Sequence, residues 1–211
     1  MSPSHKLKNK KILITAGPTW VAIDEVRIIS NIATGETGVL LAEKLQKLGA
    51  KVTLLLGPVG ICCLNKKIRL LHFKFFDELR NILKKELRSN KYDIIIHSAA
   101  VSDFRPAKSI KGKLDSNTPY NFRLVPLPKI IRDIRNFASA AKLVMFKLET
   151  AISDRILINR ARESYRIYGA DLAIANRLFP KYKAFILDRN NIYAECISKK
   201  QLIKKLVNTL K

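Results

Sequence analysis

The chain has 211 residues, of which 47% are hydrophobic and 27% are charged, and its formal net charge is +23. That length can bury one sizeable core, so we expect a basic tail at residues 1–10 followed by a single domain at 11–211. No apolar run is long enough to cross a bilayer and no signal-peptide pattern precedes Ile12, which predicts a cytoplasmic protein that does not associate with membranes. The positive charge is spread along the chain without a DNA- or RNA-recognition motif, which argues against nucleic-acid binding and favours small anionic substrates.

The cysteines and histidines show neither a disulfide framework nor the spacing of a metal site. Cys62 and Cys63 are adjacent and Cys196 stands alone, so we expect free thiols in a reducing compartment. The three histidines also lack ligand spacing. We therefore predict no metal site formed by protein side chains.

Short apolar runs alternate with segments of helical periodicity along most of the chain. Strands are predicted at 11–16, 51–56, 92–96, 142–146 and 171–175, with a hairpin formed by 184–188 and 192–196. Helices are predicted at 38–48 and from a cap at Ser153 to Gly169. Three more are predicted to begin at a cap at Asp77, at Pro128 and at a cap at Ser198. Long loops are expected at 18–34 and 105–122. This order predicts an α/β fold with a Rossmann-like, doubly wound, mostly parallel sheet and a small antiparallel edge at the C-terminus.

In an open parallel sheet, ligands bind beyond the carboxyl ends of the strands, so the residues there are the first candidates for a site. Gly35 and Gly38 stand at the mouth of the first predicted helix, where backbone N–H groups and the helix dipole favour an anion. The same pair of glycines is also typical of a tight turn with close helix packing. Asn31, just before them, could donate its amide to an acyl oxygen or could simply stabilise a turn.

Two further segments carry candidate chemistry. Small residues at 99–102 would let a ligand lie against the backbone, and Asp103 after them could bind a ribose hydroxyl or a metal-bound water, or could cap a turn. Lys111 and Lys113 lie on the long loop 105–122, where they could close over phosphates or remain solvated surface lysines.

Taken in order, these segments resemble one family, the phosphopantothenate–cysteine ligases, also called phosphopantothenoylcysteine synthetases. The matching motifs are KILITAGPT at 11–19, DEVR at 24–27, ISN at 29–31, TGETG at 34–38, SAAVSDFR at 98–105, FKLET at 146–150, INRAR at 158–162 and DLAIAN at 171–176. The resemblance implies a Rossmann-like dimer with each site completed across the interface. It also implies a reaction in two steps, with Mg²⁺ bound to a nucleoside triphosphate. The carboxylate of 4′-phosphopantothenate first attacks the triphosphate and forms an acyl-nucleotidylate, and the amine of cysteine then attacks the acyl carbon and forms the amide.

The resemblance also assigns roles to residues. Asn31 is similar to the asparagine that holds the acyl intermediate, and Lys113, with Lys111 as the alternative, is similar to the catalytic loop lysine. The implied nucleotide contacts are His97, Ser98, Ala99, Asp103, Pro128, Lys129, Ile130, Ile131 and Phe146. The candidate residues for the anionic substrate are Gly17, Thr19, Arg27, Gly35 and Gly38.

Departures from the bacterial pattern leave ATP and CTP both open as the nucleotide. FKLET at 146–150 resembles the eukaryotic form, which uses ATP, and Ser164 and Tyr168 stand where bacterial members have lysines. The decarboxylase domain that often precedes this one in bacteria is not found, so we expect a stand-alone ligase.

Three other classes of protein would share some of these features. A nicotinamide-dependent reductase would share the fold class, but the G-x-G-x-x-G fingerprint is missing and no tyrosine is followed four residues later by a lysine. A basic nucleic-acid-binding module without enzymatic activity and an inactive relative of the ligases are the remaining alternatives.

Overall fold

The computed structural model describes residues 7–60 and 65–211, so Cys62 and Cys63 lie outside the described residues. The strands are β1 (Lys11–Ala16), β2 (Trp20–Ala22), β3 (Ile28–Ser30), β4 (Lys51–Leu56), β5 (Arg69–His72), β6 (Ile94–His97), β7 (Phe104–Pro106), β8 (Leu124–Pro126), β9 (Lys142–Glu149), β10 (Leu172–Arg177), β11 (Lys183–Leu187) and β12 (Ile192–Cys196). The helices are α1 (Glu36–Lys47), α2 (Phe76–Ser89), α3 (Ile130–Phe137), α4 (Asp154–Tyr168) and α5 (Lys199–Thr209). Within these described ranges, no helix combines the length and apolar character needed to span a membrane.

Eight strands form the central sheet in the order β12-β11-β10-β9-β6-β1-β4-β5. The strands from β10 to β5 pair in parallel, whereas β11 and β12 add an antiparallel edge. Strand β1 lies near the middle, and consecutive residues Ile12, Leu13 and Ile14 are all fully buried. A continuous apolar run of this kind is what a strand covered on both faces requires. The predicted fold class, including its antiparallel C-terminal edge, is confirmed.

Helices cover both faces of the sheet and divide the core into two layers. Helices α1 and α5 bury residues such as Leu41 and Leu206 against one face. Helices α2, α3 and α4 bury residues such as Leu79, Ile134 and Leu157 against the other face. The apolar stripes of the helices therefore account for the three-layer architecture.

Helix starts follow local capping chemistry, with one correction to the sequence-based prediction. The hydroxyls of Ser153 and Ser198 accept hydrogen bonds from the first turns of α4 and α5, as predicted. Asp77, predicted as a cap, instead lies inside the first turn of α2. The carboxylate of Glu78 accepts from the backbone N–H groups of Lys74 and Phe75 and performs the capping there.

Two small hairpins stand outside the central sheet, in segments where the sequence predicted only loops. Strands β2 and β3 pair within 18–34, and β7 pairs with β8 across the segment 105–122. Each of these strands has three residues, too few for an alternating pattern to be recognised. Strand β5 at the sheet edge was also not predicted. The two hairpins pack beside each other through β2 and β7 and project from the carboxyl end of the sheet.

Candidate active site

The carboxyl ends of β1, β6 and β9 lie side by side, because these strands are parallel neighbours in the sheet. Three of the residues predicted to bind the anionic substrate, Gly17, Gly35 and Gly38, lie where β1 ends and α1 begins. The predicted nucleotide residues follow β6 and β9 or precede α3. The structure therefore brings the main candidate segments to one rim.

The glycines at this rim are required by close packing. A Cβ at Gly38 would lie 2.5 Å from Cβ of Ala16 and 2.9 Å from Oγ of Ser98. Gly35 has φ of +71°, and a Cβ there would come within 3.3 Å of the backbone nitrogen of Gly17. The first turn of α1 thus sits directly on the end of β1, and Gly35 places no capping side chain over its N–H groups. Such a helix start can accept an anion, in addition to packing closely.

Ser98 is separated from the other predicted nucleotide residues. Its hydroxyl donates to the carbonyl of Thr15 at 2.6 Å and lies against Gly38, on the α1 side of the sheet. The neighbouring His97 faces the opposite side and lines the nucleotide cleft described next. Successive residues of a strand point to opposite faces, so of these two predicted nucleotide contacts His97 lines the cleft and Ser98 does not.

The remaining predicted nucleotide residues line one cleft of about 210 Å³ between the strand ends and α3 and α4. These residues are His97, Ala99, Asp103, Pro128, Lys129, Ile130, Ile131 and Phe146. They come from three segments separated along the chain, and the fold assembles them. We call this space the nucleotide cleft, after the role that the family resemblance gives its residues.

His97 presents a neutral ring to the nucleotide cleft. Its Nδ1 forms a hydrogen bond of 2.8 Å with Oγ1 of Thr15, and the backbone N–H of Ala99 donates to the same oxygen. Burial lowers the pKa of His97 to about 4, so the imidazole is uncharged at pH 7. His97 can therefore make a hydrogen bond to a ligand but brings no positive charge.

Both lysines that line the cleft are paired with carboxylates. Lys129 Nζ lies 2.5 Å from the carboxylate of Asp103, and both side chains are about half exposed. Lys147 lies 3.2 Å from Glu149, which also pairs with Arg160 at 2.7 Å. Burial would raise the pKa of Glu149, but the hydrogen bonds from these two cations outweigh it and lower the pKa. A polyphosphate entering the cleft would compete with the carboxylates for these lysines.

Several residues that line the cleft were not assigned to it from the sequence. Ser164 and Tyr168 face it from α4, four residues apart on one helix face, and Val101, Ser102, Met145 and Lys147 complete the lining. Arg132 lies 5.8 Å above the ring of Tyr168.

On the other side of the rim, Oδ1 of Asn176 at the end of β10 is buried without a hydrogen-bond partner in the described structure. The period of the strands and of α4 was the signal that could have identified these positions.

Asn31 lies next to the small-residue segment that borders the nucleotide cleft. Its Nδ2 donates to the carbonyls of Ala100 and Val101, both at 3.1 Å. The side chain is exposed, so its Oδ1 remains accessible to a ligand. The amide therefore holds the backbone after β6 and stands at the edge of the cleft.

Thr19 occupies a different position from the one predicted. Its side chain is fully buried, accepts from the backbone N–H of Ser102 at 2.9 Å and donates to Oγ of Ser102 at 3.1 Å. Both hydrogen-bonding capacities of the hydroxyl are used. Direct contact with a substrate is therefore corrected to a structural role, which ties the segment after β1 to the segment after β6.

The lysine loop is attached to the tip of the β2–β3 hairpin. Oδ2 of the buried Asp24 accepts from the backbone N–H of Leu114 at 3.0 Å and from the guanidinium of Arg27 at 2.5 Å. The Arg27 guanidinium also donates to the carbonyl of Leu114 at 3.2 Å, and the N–H of Glu25 donates to the carbonyl of Gly112. The structure thus places Arg27 with the loop, whereas the prediction grouped it with the glycines. The hydrogen bond from Leu114 is the main cause that holds the pKa of Asp24 far below its ordinary value.

Lys111 and Lys113 flank Gly112 on this loop and are exposed. Neither lysine lines the nucleotide cleft, and neither forms an ion pair within residues 7–60 and 65–211. Their amines are therefore available to an anion from solution or from another subunit.

Among the described residues, no group of three or more His, Cys, Asp or Glu side chains could hold a metal ion. Asp103 is the carboxylate that lines the nucleotide cleft. A Mg²⁺ ion that keeps most of its waters and is held chiefly by phosphates needs only one or two carboxylates, and Asp103 fits that requirement.

Comparison with known proteins identifies relatives of this chain. A coenzyme A biosynthesis bifunctional protein CoaBC from Thermococcus kodakarensis is 35% identical over 186 residues, which cover 88% of this chain and 45% of that protein. The CoaBC of Borreliella burgdorferi is 36% identical over 209 residues, which cover 95% of this chain and 49% of that protein. The chain therefore spans about half the length of these curated relatives.

A solved structure supports the same relationship. The DNA/pantothenate metabolism flavoprotein from Streptococcus pneumoniae superposes with a TM-score of 0.85 at 25% identity, over 95% of this chain and 98% of that one. The family model of the DNA/pantothenate metabolism flavoprotein C-terminal domain matches residues 7–211. Because the match extends over the whole domain that carries the rim and its cleft, the chain belongs to the family of DNA/pantothenate metabolism flavoprotein C-terminal domains.

Proposed function

We propose that this protein is a phosphopantothenate–cysteine ligase, which forms the amide between 4′-phosphopantothenate and cysteine in coenzyme A biosynthesis. The observation that carries the proposal is the assembly of the nucleotide cleft. All but one of the residues that the sequence predicts as nucleotide contacts line one cavity beside Asn31, although they come from separate segments of the chain. The relatives described as coenzyme A biosynthesis proteins support the same pathway.

In the proposed first step, the carboxylate of 4′-phosphopantothenate attacks the α-phosphorus of the triphosphate. A bond forms between a carboxylate oxygen and phosphorus, and the bond to the pyrophosphate leaving group breaks. The first turn of α1 and the cations of the cleft, Lys129 and Lys147, would hold the anionic groups and offset the charge that the carboxylate meets. Mg²⁺ bound with the triphosphate would neutralise further charge, with Asp103 as the cleft residue able to contact a metal-bound water.

In the second step, the amine of cysteine attacks the acyl carbon of the acyl-nucleotidylate. The nucleoside monophosphate leaves with the former carboxylate oxygen, and the amine loses a proton. We propose that Asn31 orients the acyl-nucleotidylate through its Oδ1, which can accept a hydrogen bond from an N–H or O–H group of the substrate, because both N–H groups of its amide are held by backbone carbonyls. A neutral amide suits this role, since it can bind without repelling either anionic reactant.

Lys113, or Lys111 as the alternative, is proposed to neutralise the leaving phosphate. Both amines are exposed, whereas the backbone between and beside them is bonded to the β2–β3 hairpin through Gly112 and Leu114. The flexible side chains of these lysines, rather than a movement of the loop, would therefore reach a bound polyphosphate.

We further propose that the active site is completed by a second copy of the chain. The β2–β3 hairpin and the residues after it expose Val26, Ile28 and Ile32, the last of them completely. The β7–β8 hairpin and its loop expose Phe104, Tyr120, Phe122 and Leu124. These two hairpins pack side by side, and we propose that a two-fold related copy covers their exposed apolar side chains.

The nucleotide is proposed to be ATP or CTP. Ser164 and Tyr168 line the cleft without adding charge, and Arg132 over the Tyr168 ring supplies a nearby cation. The cleft therefore departs from the lysine-rich pattern that the bacterial resemblance implies.

Transfer of a carboxylate oxygen tests the proposed chemistry. With 4′-phosphopantothenate labelled with ¹⁸O in its carboxylate, the nucleoside monophosphate released after amide formation should carry one labelled oxygen, detected by mass spectrometry. Product formed with an unlabelled monophosphate would refute the acyl-nucleotidylate.

A further inference from the structure

Three arginines converge on a cavity away from the catalytic rim. The cavity has a volume of about 270 Å³ and is lined by Asn159, Arg162, Arg166, Arg189 and Asn190. The first three residues lie on α4, and the last two form the turn between β11 and β12. Among the residues that the structure describes, no carboxylate lines this space, which we call the arginine cavity.

The arginine cavity is separate from the nucleotide cleft. Arg162 and Arg166 are four residues apart on one side of α4, whereas Ser164 and Tyr168 of the cleft lie roughly 200° around the helix at about 100° per residue. The turn that supplies Arg189 follows Leu187, which pairs with residue 173 near the start of β10. The cavity therefore lies towards the amino edge of the sheet, opposite the rim.

The guanidinium groups in this cavity lack compensating charge. In the described part of the chain, neighbouring Arg160 and Arg177 each pair with a carboxylate, while Arg162, Arg166 and Arg189 pair with none. Within the same ranges, the Nε of Arg162 is buried without a hydrogen-bond partner, and its Nη2 makes only a 3.4 Å contact with a backbone carbonyl. A buried donor of a charged group left without a partner is unfavourable, so an acceptor with negative charge would stabilise this arrangement.

Two acidic residues adjoin these arginines in sequence: Glu163, which is exposed and does not line the cavity, and Asp188, whose carboxylate is bonded within the turn. The carboxylate of Asp188 accepts from the backbone N–H groups of Asn190 and Asn191 and from the hydroxyl of Tyr193. The Tyr193 hydroxyl, followed by these backbone groups, lowers the pKa of Asp188 to about 2. Asp188 thus shapes the turn that presents Arg189 but does not line the arginine cavity.

We propose that the arginine cavity binds inorganic phosphate or a phosphate monoester. Arginine presents its donors in a planar fork that matches two oxygens of a phosphate group, and here three such groups converge from two elements. Asn159 and Asn190 also line the cavity, and they are uncharged. This site is independent of the proposed catalytic reaction and would accept its ligand whether or not the rim is occupied.

Backbone-amide NMR of the intact protein, titrated with inorganic phosphate at constant ionic strength, tests this site directly. We expect saturable shifts at Arg189, Asn190 and Asn191. In Arg162→Ala and Arg189→Ala the apparent Kd should rise by about tenfold or more, as loss of a charge-assisted pair predicts. The matched control is Arg155→Ala, an exposed arginine of the same helix that has no ion pair in the described structure.

Three results would overturn the proposal. Shifts confined to residues of the nucleotide cleft would mean that phosphate binds only at the rim. If Arg155→Ala weakened phosphate binding as much as Arg162→Ala and Arg189→Ala do, the effect would come from the overall positive charge and not from a site. Absence of saturation up to tens of millimolar phosphate would mean that there is no site. Arg189 lies on an exposed turn, so its variant keeps the fold, and unchanged amide positions elsewhere in the spectrum verify this.

Discussion

The buried carboxylate of Asp24, at the tip of the β2–β3 hairpin, accepts a 3.0 Å hydrogen bond from the backbone N–H of Leu114. This contact joins residues 90 positions apart in the sequence. It fixes the loop that carries Lys111 and Lys113 to the hairpin that leads into Asn31. The candidate catalytic groups of two separate segments are thereby held in one unit.

Replacement of Asp24 should release the lysine loop. In Asp24→Asn, we expect the amide of Leu114 to exchange with solvent about tenfold faster at pH 7, because a charge-assisted hydrogen bond is lost. Hydrogen exchange measured by NMR or mass spectrometry reports this directly. Asp115→Asn, an exposed carboxylate of the same loop, is the control and should leave the exchange of Leu114 unchanged.

The same contact predicts a pH dependence. Because the pKa of Asp24 is lower in the folded chain than its ordinary 3.8, its stabilising effect is complete above about pH 4 and declines as the pH falls further. Protection of the Leu114 amide should therefore weaken in acid in the wild type but not in Asp24→Asn. Protection that is independent of pH in both proteins would show that the carboxylate does not hold the loop.

Asn31→Ala should lower the turnover of the proposed ligase by at least about 100-fold, since it removes a preorganised amide beside the reacting group. Pyrophosphate release and product formation measure the effect, and the thermal unfolding temperature checks the fold. Ser30→Ala, which removes an adjacent hydroxyl bonded to the carbonyl of Thr19, is the matched control. Normal turnover in Asn31→Ala would remove this residue from the mechanism.

Alanine at Lys113 should reduce kcat by about 10²-fold or more while changing KM less, because the lysine acts on charge that develops during transfer. Lys111→Ala, measured in parallel, decides between the two candidates, and Lys108→Ala tests the effect of a further exposed lysine of the same loop. If both candidate variants keep the wild-type kcat, the loop has no catalytic part.

An acidic residue on the hairpin surface should prevent dimerisation. We expect Ile32→Asp to be monomeric in light scattering coupled to size exclusion and to lose ligase activity, because a carboxylate would be buried in the proposed interface. Ile167→Asp, at an exposed isoleucine of α4 outside the hairpins, should remain dimeric. A dimeric Ile32→Asp would place the interface elsewhere.

The central sheet could be predicted from the sequence because its physical signal is local. Strands such as β1 and β4 are continuous apolar runs, and a strand buried on both faces needs no partner to be recognised. The hairpins β2–β3 and β7–β8 could not be predicted, since each strand has three partly exposed residues. Their positions depend on tertiary contacts, such as the one between Asp24 and Leu114.

The candidate site was predicted in part for the same reason. Residues at strand ends could be identified because parallel strands all end at one edge of the sheet. To predict the face of the sheet on which each side chain lies, one must also use the alternation of side chains along a strand. This alternation places His97 and Ser98 on opposite faces. The buried role of Thr19 and the attachment of the lysine loop depend on contacts between distant segments, and the sequence contains no local signal for them.

Cleavage of the triphosphate is the measurement that tests the ligase proposal most directly. The protein is incubated with Mg²⁺, 4′-phosphopantothenate and either ATP or CTP, and cysteine is added in a second stage. We predict that one triphosphate yields pyrophosphate only when phosphopantothenate is present, and that cysteine then yields the amide with one equivalent of nucleoside monophosphate. Release of nucleoside diphosphate and inorganic phosphate, or no cleavage of either triphosphate, would contradict the account.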